Sequence, residues 1–271
     1  MKIMVFLGGL GNQIFGYAFL SYIRNRFPDR KLYGVYKKVN EHYGLEIEKW
    51  FDVNMPDSKW WVDILTGILY IYKKISPKTK ILDLNQQDCI NENAILYYTS
   101  KFNKRFVPQN SDWIKWKIDE SNLSEKNKKV LEEIRSKESI FIHVRRGDYL
   151  SPRYKAIFEG CCTLDYYKKA IAYVNQEKTG LTFFCFSDDI PWAKENLPLK
   201  DVVFIDWNTG SDSPIDMFLM SQCKGAIMAN STFSYWGARL GVEKKIVCYP
   251  LKWNNLSNGT QDICLDSWKC F

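Results

Sequence analysis

From residue 139 onward, short apolar runs alternate with stretches of helical spacing, and that alternation restricts the second half of the chain to few architectures. Strands are expected at 139–145, 182–186, 202–205, 225–229 and 245–249. The segment 164–177 reads as a helix with Tyr167, Ala170, Ile171 and Val174 on one face. Further helices are expected at 191–196 and 214–222, and one runs through Leu240 after Asn230, Ser231 and Thr232. Strands alternating with helices build a parallel sheet, so the fold class is α/β.

The start of the chain repeats the pattern. Residues 2–7 read as a buried strand, Gly8-Gly9-Leu10-Gly11-Asn12 as a tight loop, and Ile14, Phe15, Ala18, Phe19, Tyr22 and Ile23 recur at helical spacing. Residues 31–118 are less regular, with a helix expected near 59–75 and short strands near 94–99. Ser124 is a suitable N-cap for a charged helix at 125–137. Its composition suits an exposed connector, which puts the domain boundary near 136: an N-terminal domain at 1–135 and a C-terminal one at 136–271.

Composition narrows the function. The 271 residues are 46% hydrophobic and 25% charged, ordinary for a packed soluble protein. The net charge of +7 suits an anionic small molecule, an anionic membrane or nucleic acid, but no basic block is dense enough to favour nucleic acid. The first apolar run is too short for a signal peptide, and no run reaches the ~20 apolar residues of a spanning helix. A cytoplasmic location is therefore expected. The segment 60–72, flanked by Lys59, Lys73, Lys74, Lys78 and Lys80, suits a buried core helix, the commoner case, or a peripheral contact with the inner membrane. Eight cysteines without a C-x-x-C pair read as reduced thiols. Only His42 and His143 are present and no Asp-x-Asp occurs, so no metal is expected.

Three loops carry candidate chemistry. The first strand delivers Gly8, Gly9, Gly11 and Asn12 to a helix N-terminus, yet the loop lacks the lysine of a phosphate loop, and Ile14 breaks the dinucleotide fingerprint. A ligand-facing turn and a plain turn both remain open. The strand at 139–145 ends in His143-Val144-Arg145-Arg146-Gly147-Asp148. Alternation puts Ile140, Ile142 and Val144 on one face and Phe141, His143 and Arg145 on the other. Arg145 and Arg146 thus diverge: one grips an anion through paired hydrogen bonds and the other braces the loop, with Asp148 as its expected partner. His143 suits a core position or a ligand contact. After the strand at 225–229, Ser231 and Thr232 suit helix capping, phosphate binding or both. Ser187 and Asp188 end another strand and suit a cap or a base or ribose contact. The sequon at Asn230 sits between a strand and a helix, a poor acceptor site.

In this order, Gly8-Gly9-Leu10-Gly11-Asn12-Gln13, His143-Val144-Arg145-Arg146-Gly147-Asp148-Tyr149, Phe186-Ser187-Asp188-Asp189 and Asn230-Ser231-Thr232-Phe233-Ser234-Tyr235-Trp236-Gly237-Ala238 resemble the motifs of bacterial α-1,2-fucosyltransferases. The resemblance spans almost the whole chain and is poorest at about 40–120, where acceptor specificity is expected. It implies a GT-B-type glycosyltransferase with two Rossmann-like domains facing a cleft. It implies GDP-β-L-fucose as donor, the 2-hydroxyl of a terminal β-galactoside as acceptor, inversion, and no metal. Arg145 resembles the arginine on the donor diphosphate; Ser231, Thr232 and Phe233 resemble the loop on the other side of the phosphates. Gly11 and Asn12 resemble the N-terminal loop facing the donor. Gly16 departs from a common glutamine, and Tyr235 from a common tryptophan.

Arg146, Ser187 and Asp188 complete the expected donor contacts, and His143, Arg145 and Asp148 the catalytic set, with Asp148 the first candidate base and Glu159 the second. A base is dispensable if the transition state is dissociative. A fucosyltransferase of another linkage or acceptor, protein included, and a non-catalytic nucleotide-sugar-binding module are the rival readings. An NAD-dependent oxidoreductase is disfavoured by Ile14.

Overall fold

A computed structural model describes residues 1–39, 43–76, 79, 81–83, 90–99, 102–109, 111–256 and 263–271. His42, Lys78 and Lys80 lie outside the described residues. The chain divides into two compact units, Met1–Ile118 and Asp119–Phe271.

In the first unit, β1 (Lys2–Leu7) leads through a glycine turn into α1 (Leu10–Arg26) and then β2 (Leu32–Lys38). Next come α2 (Ile47–Trp50), β3 (Phe51–Asp52), α3 (Trp60–Ile75), β4 (Leu82–Asp83), β5 (Leu96–Tyr98) and β6 (Lys115–Trp116). The main sheet is parallel, in the order β2-β1-β5-β4. Strands β3 and β6 form a separate antiparallel pair. Ile3 and Val5 pack with Tyr33, Val35 and Leu96 against Val62 and Leu69 of α3. Against α1 the contact is close: a Cβ on Gly16 would lie 2.9 Å from Phe6 and from Thr99 Oγ1. No larger side chain fits there without movement, which accounts for glycine at this position.

The second unit contains α4 (Glu125–Ser136), β7 (Glu138–Val144), α5 (Lys155–Phe158), α6 (Leu164–Glu177), β8 (Leu181–Ser187), α7 (Ile190–Asn196) and β9 (Val202–Ile205). It continues with α8 (Ser213–Gln222), β10 (Gly225–Ile227), α9 (Thr232–Arg239), β11 (Ile246–Tyr249) and β12 (Lys269–Cys270). All six strands run parallel, in the order β12-β11-β10-β7-β8-β9. Ile140, Ile142 and Val144 pack in one cluster with Tyr166, Tyr167, Ala170, Ile171 and Val174 of α6. His143 points to the opposite face, where its ring lies 5.8 Å from that of Phe233.

Helix α4 differs from its expected role as an exposed connector. Ser124 caps it as expected, accepting from the Asn127 N–H at 3.3 Å. Val130, Leu131 and Ile134 are buried, however, and the helix packs on β7 and α8. It therefore lies inside the second unit, which starts at Asp119 rather than near 136. A charged composition hid a narrow apolar stripe, since three buried residues one turn apart suffice to dock a helix.

Candidate active site

In each sheet the chain builds outward from its first strand and then returns to that strand's other side. The first sheet does this between β1 and β5, and the second between β7 and β10. Such a reversal leaves a crevice at the carboxyl ends of the two strands, the usual ligand position in open α/β sheets. The arginine motif follows β7, and Asn230, Ser231 and Thr232 follow β10. The two loops picked out from sequence therefore flank one switch point.

Paired register carries Val144 level with Ser187, so the loops after β7 and β8 emerge together. Arg145 Nη1 lies 3.1 Å from Asp188 Oδ2, and Nη2 lies 2.9 Å from Asp148 Oδ1. Burial opposes the Arg145 charge, but Asp188 and then Asp148 outweigh it and raise its pKa above the ordinary value. Its guanidinium also lies 5.6 Å from the Tyr149 ring. Arg146 turns away. Its Nε donates to Asp189 at 3.0 Å and its guanidinium stacks 4.2 Å from the Trp192 ring, while its backbone N–H donates to Asp188 at 2.8 Å. Arg146 is thus a brace, but through Asp189 rather than Asp148. Gly147 allows this closure: a Cβ there would sit 3.0 Å from Asp188 Oδ2.

The loop after β10 is tied to the same place. The Tyr149 hydroxyl donates to the Asn230 carbonyl at 3.1 Å, and its ring stacks on Phe158 at 4.0 Å. Asn230 exchanges contacts with the Cys162 sulfur at 3.2 and 3.3 Å and donates to the Trp253 carbonyl at 2.8 Å. Buried and fully engaged, it is no glycan acceptor. Ser231 caps α9 by accepting from the Phe233 N–H at 3.2 Å, and the first turn of α9 holds no acidic residue. Hydroxyls at a helix N-terminus of this kind favour an anion.

His143 is buried, and its Nδ1 has no hydrogen-bond partner. Burial, then the Arg145 charge, push it down to about 4 against the pull of Asp188. It is neutral at physiological pH and cannot supply charge. An orphaned buried nitrogen normally finds a partner, and a bound ligand is one. Ser187 and Asp189 act locally: Ser187 Oγ accepts from the Asp189 N–H at 2.9 Å, and Asp189 caps α7 through the Trp192 N–H at 3.1 Å. Glu159 pairs with Lys155 at 3.4 Å, both exposed. Among the described residues, no three His, Cys, Asp or Glu side chains group to hold a metal. The seven described cysteines are free thiols.

In the first unit, Gly11 and Asn12 lie at the start of α1, and Gly8 holds φ +74°, where a Cβ would sit 2.3 Å from Asn12 Nδ2. The N-terminus of α1 is not left for an anion. Its Leu10 N–H donates to the buried Glu46 carboxylate at 3.1 Å, and Gln13 bonds Gly8, Gly44, Glu46 and Ile47. Sequence reading missed Glu46 because it is distant in sequence from the helix it caps.

Asp216 was missed too. It accepts from Asn208 at 2.7 Å, and Asn208 pairs reciprocally with Asn127 at 2.8 and 3.0 Å. Burial pushes its carboxyl up to about 7, against the Asn208 hydrogen bond. The available signal was a lone carboxylate in an otherwise apolar turn, Pro214 to Met220.

The chain is 31% identical over 281 residues to an alpha-1,2-colitosyltransferase of Escherichia coli, covering 96% of this chain and 95% of that protein. It is 41% identical over 129 residues to the O-antigen biosynthesis glycosyltransferase WbnK of Escherichia coli, covering 47% of this chain and 42% of that protein. Among solved structures, the fucosyltransferase NodZ from Bradyrhizobium shares the fold, with a TM-score of 0.52 at 15% identity over 89% of this chain and 92% of that one. The family model described as Glycosyl transferase family 11 matches residues 59–270, so the chain belongs to that family of glycosyltransferases.

Proposed function

We propose that this chain transfers a fucose-type 6-deoxy sugar from its GDP ester to the 2-hydroxyl of a terminal β-galactoside, with inversion and an α-1,2 linkage. The observation that carries the reading is Arg145, held by Asp188 and Asp148 at the second sheet's switch point. In transfer, the bond from the sugar's anomeric carbon to the diphosphate oxygen breaks, and negative charge grows on GDP. A fixed guanidinium and the first turn of α9 stabilise that charge. Ser231, Thr232 and Phe233 belong to this wall. Gly11 and Asn12 are carried as donor contacts by resemblance alone.

The galactose hydroxyl attacks from the opposite face and gives up its proton. Asp148 is the proposed base. Its side chain is the more exposed of the two Arg145 partners, 46% against 26% for Asp188. A phosphate on Arg145 competes with Asp148 more readily than with Asp188, and so releases a carboxylate beside the reacting centre. Arg146 acts by fixing the loop, and His143 as a neutral hydrogen-bonding group.

The near full-length similarity to a colitosyltransferase supports a second donor, GDP-colitose. Colitose is fucose without its 3-hydroxyl, so the diphosphate contacts serve both. Incubation with each donor and a panel of β-galactosides, followed by linkage analysis of the product, tests the reading. Transfer of either sugar to O2 supports it. Consumption of neither donor, or linkage at another hydroxyl, overturns it.

A further inference from the structure

Helix α3 is apolar on two sides: Val62 and Leu69 pack into the core with Trp61, Leu65 and Tyr70, and a second apolar stripe is left outside. Its buried residues are Val62, Thr66 and Leu69, while Trp60, Ile64, Ile68, Ile71, Tyr72 and Ile75 face solvent. These six are 76, 55, 56, 61, 45 and 76% exposed. They make up half of the twelve exposed large hydrophobics among the described residues, so the exposure is concentrated, not scattered. The covered side also hides polar atoms: Asp63 Oδ1, Thr66 Oγ1 and Tyr70 OH are buried without hydrogen-bond partners. At about 100° per residue, the six apolar residues span an arc of about 120° that contains no charged residue. A surface that hides hydroxyls and presents isoleucines is built for an apolar partner.

Charge and length select the partner. Exposed Lys59 precedes the stripe and exposed Lys74 follows it, with Lys73 beside it. The acidic groups nearby are already turned to lysines: Asp63 lies 3.4 Å from Lys37, and Asp57 lies 4.0 Å from Lys59. A second copy docked antiparallel would set Lys59 against Lys73 and Lys74, like against like. Docked parallel, each lysine would meet its own counterpart. An anionic surface meets both ends favourably. The helix has 16 residues and is about 24 Å long, short of the ~30 Å hydrocarbon core, and no described helix is long and apolar enough to cross a membrane. Trp60 and Tyr72 sit near its two ends, where amphipathic rings suit the headgroup level.

We infer that α3 lies in the plane of an anionic lipid bilayer, with Trp60, Ile64, Ile68, Ile71 and Ile75 in the acyl boundary and the exposed Lys59 and Lys74 on the headgroups. The inference does not depend on which sugar is transferred. In a family 11 glycosyltransferase it brings the enzyme to the surface where a lipid-linked acceptor would be presented.

The test is co-sedimentation of the full chain with vesicles of phosphatidylcholine alone or mixed with phosphatidylglycerol. The expected result is sedimentation with the mixed vesicles, weakened by salt. Ile64→Glu/Ile68→Glu/Ile71→Glu should lower the partition at least about tenfold while leaving thermal unfolding and GDP binding unchanged. Lys59→Glu/Lys74→Glu should remove the preference for phosphatidylglycerol. If wild type stays in the supernatant with mixed vesicles, the inference is wrong. Equal binding by the triple glutamate variant also overturns it. So does a dimer seen by sedimentation velocity that the triple variant abolishes without any vesicle binding, which makes the stripe an interface between copies.

Discussion

The two sheets place the same local pattern, a strand, a loop and a helix N-terminus, at the same topological position, and the two places are filled differently. After β1, the end of α1 is occupied by the chain's own Glu46 carboxylate, with Gln13 lacing the loop to Gly44 and Ile47. After β7 and β10, the position is walled by Arg145, by Tyr149 and by a helix turn of hydroxyls without an acid. The first helix end is thus capped by the chain's own carboxylate, whereas the second is lined by a guanidinium and hydroxyls.

The largest expected effect tests the Arg145 side of this contrast. Arg145→Ala should lower transfer by about 100- to 1000-fold, with a matching loss of GDP affinity by calorimetry. Near-normal turnover would break the contrast and the proposed reaction together. Arg146→Ala should cost about tenfold, through loss of the Asp189 pair and the Trp192 stack. A loss as large as that of Arg145→Ala would mean that both arginines touch the donor.

Glu46→Ala probes the filled helix end. It strands the buried Leu10 N–H and should destabilise the fold by about 1–3 kcal/mol in urea unfolding. Glu46→Gln keeps an acceptor and should lose less. A rise in GDP affinity in the alanine variant would show that the first helix end is an anion site masked by Glu46.

The last test concerns Asp216. Its folded pKa of about 7 stands above its ordinary 3.8, so between those values the folded chain holds a proton that the unfolded chain has lost. Its contribution to stability is complete below about pH 4 and fades as pH rises to about 7. Asp216→Asn removes that dependence, so the urea midpoint of the variant should gain on wild type across this window. A flat difference would show that the carboxyl is ionised in the fold.

Much of the second unit was legible in its residues. The bounds of α6 and β9 emerge as expected, Ser124 caps α4, and alternation along β7 correctly separates Ile140, Ile142 and Val144 from His143. The split between Arg145 and Arg146 followed from the same alternation. These features are local, set by one residue's spacing to the next. Less was legible where partners are distant. The role of α4 as a packed helix and the edge strand β12 rest on contacts made elsewhere in the chain.

By itself, the sequence determined the α/β alternation, the motif loops and the choice of arginine and hydroxyl chemistry. Those depend on periodicity and on side-chain type, which any short window contains. Only the tertiary structure decided the strand order that brings the β7 and β10 loops to one switch point. It alone assigned Asp189 to Arg146, seated Glu46 on α1, and left the isoleucines of α3 facing outward. The reason is physical: which groups end up sharing a buried site depends on chain reversals tens of residues long, and no local pattern encodes them.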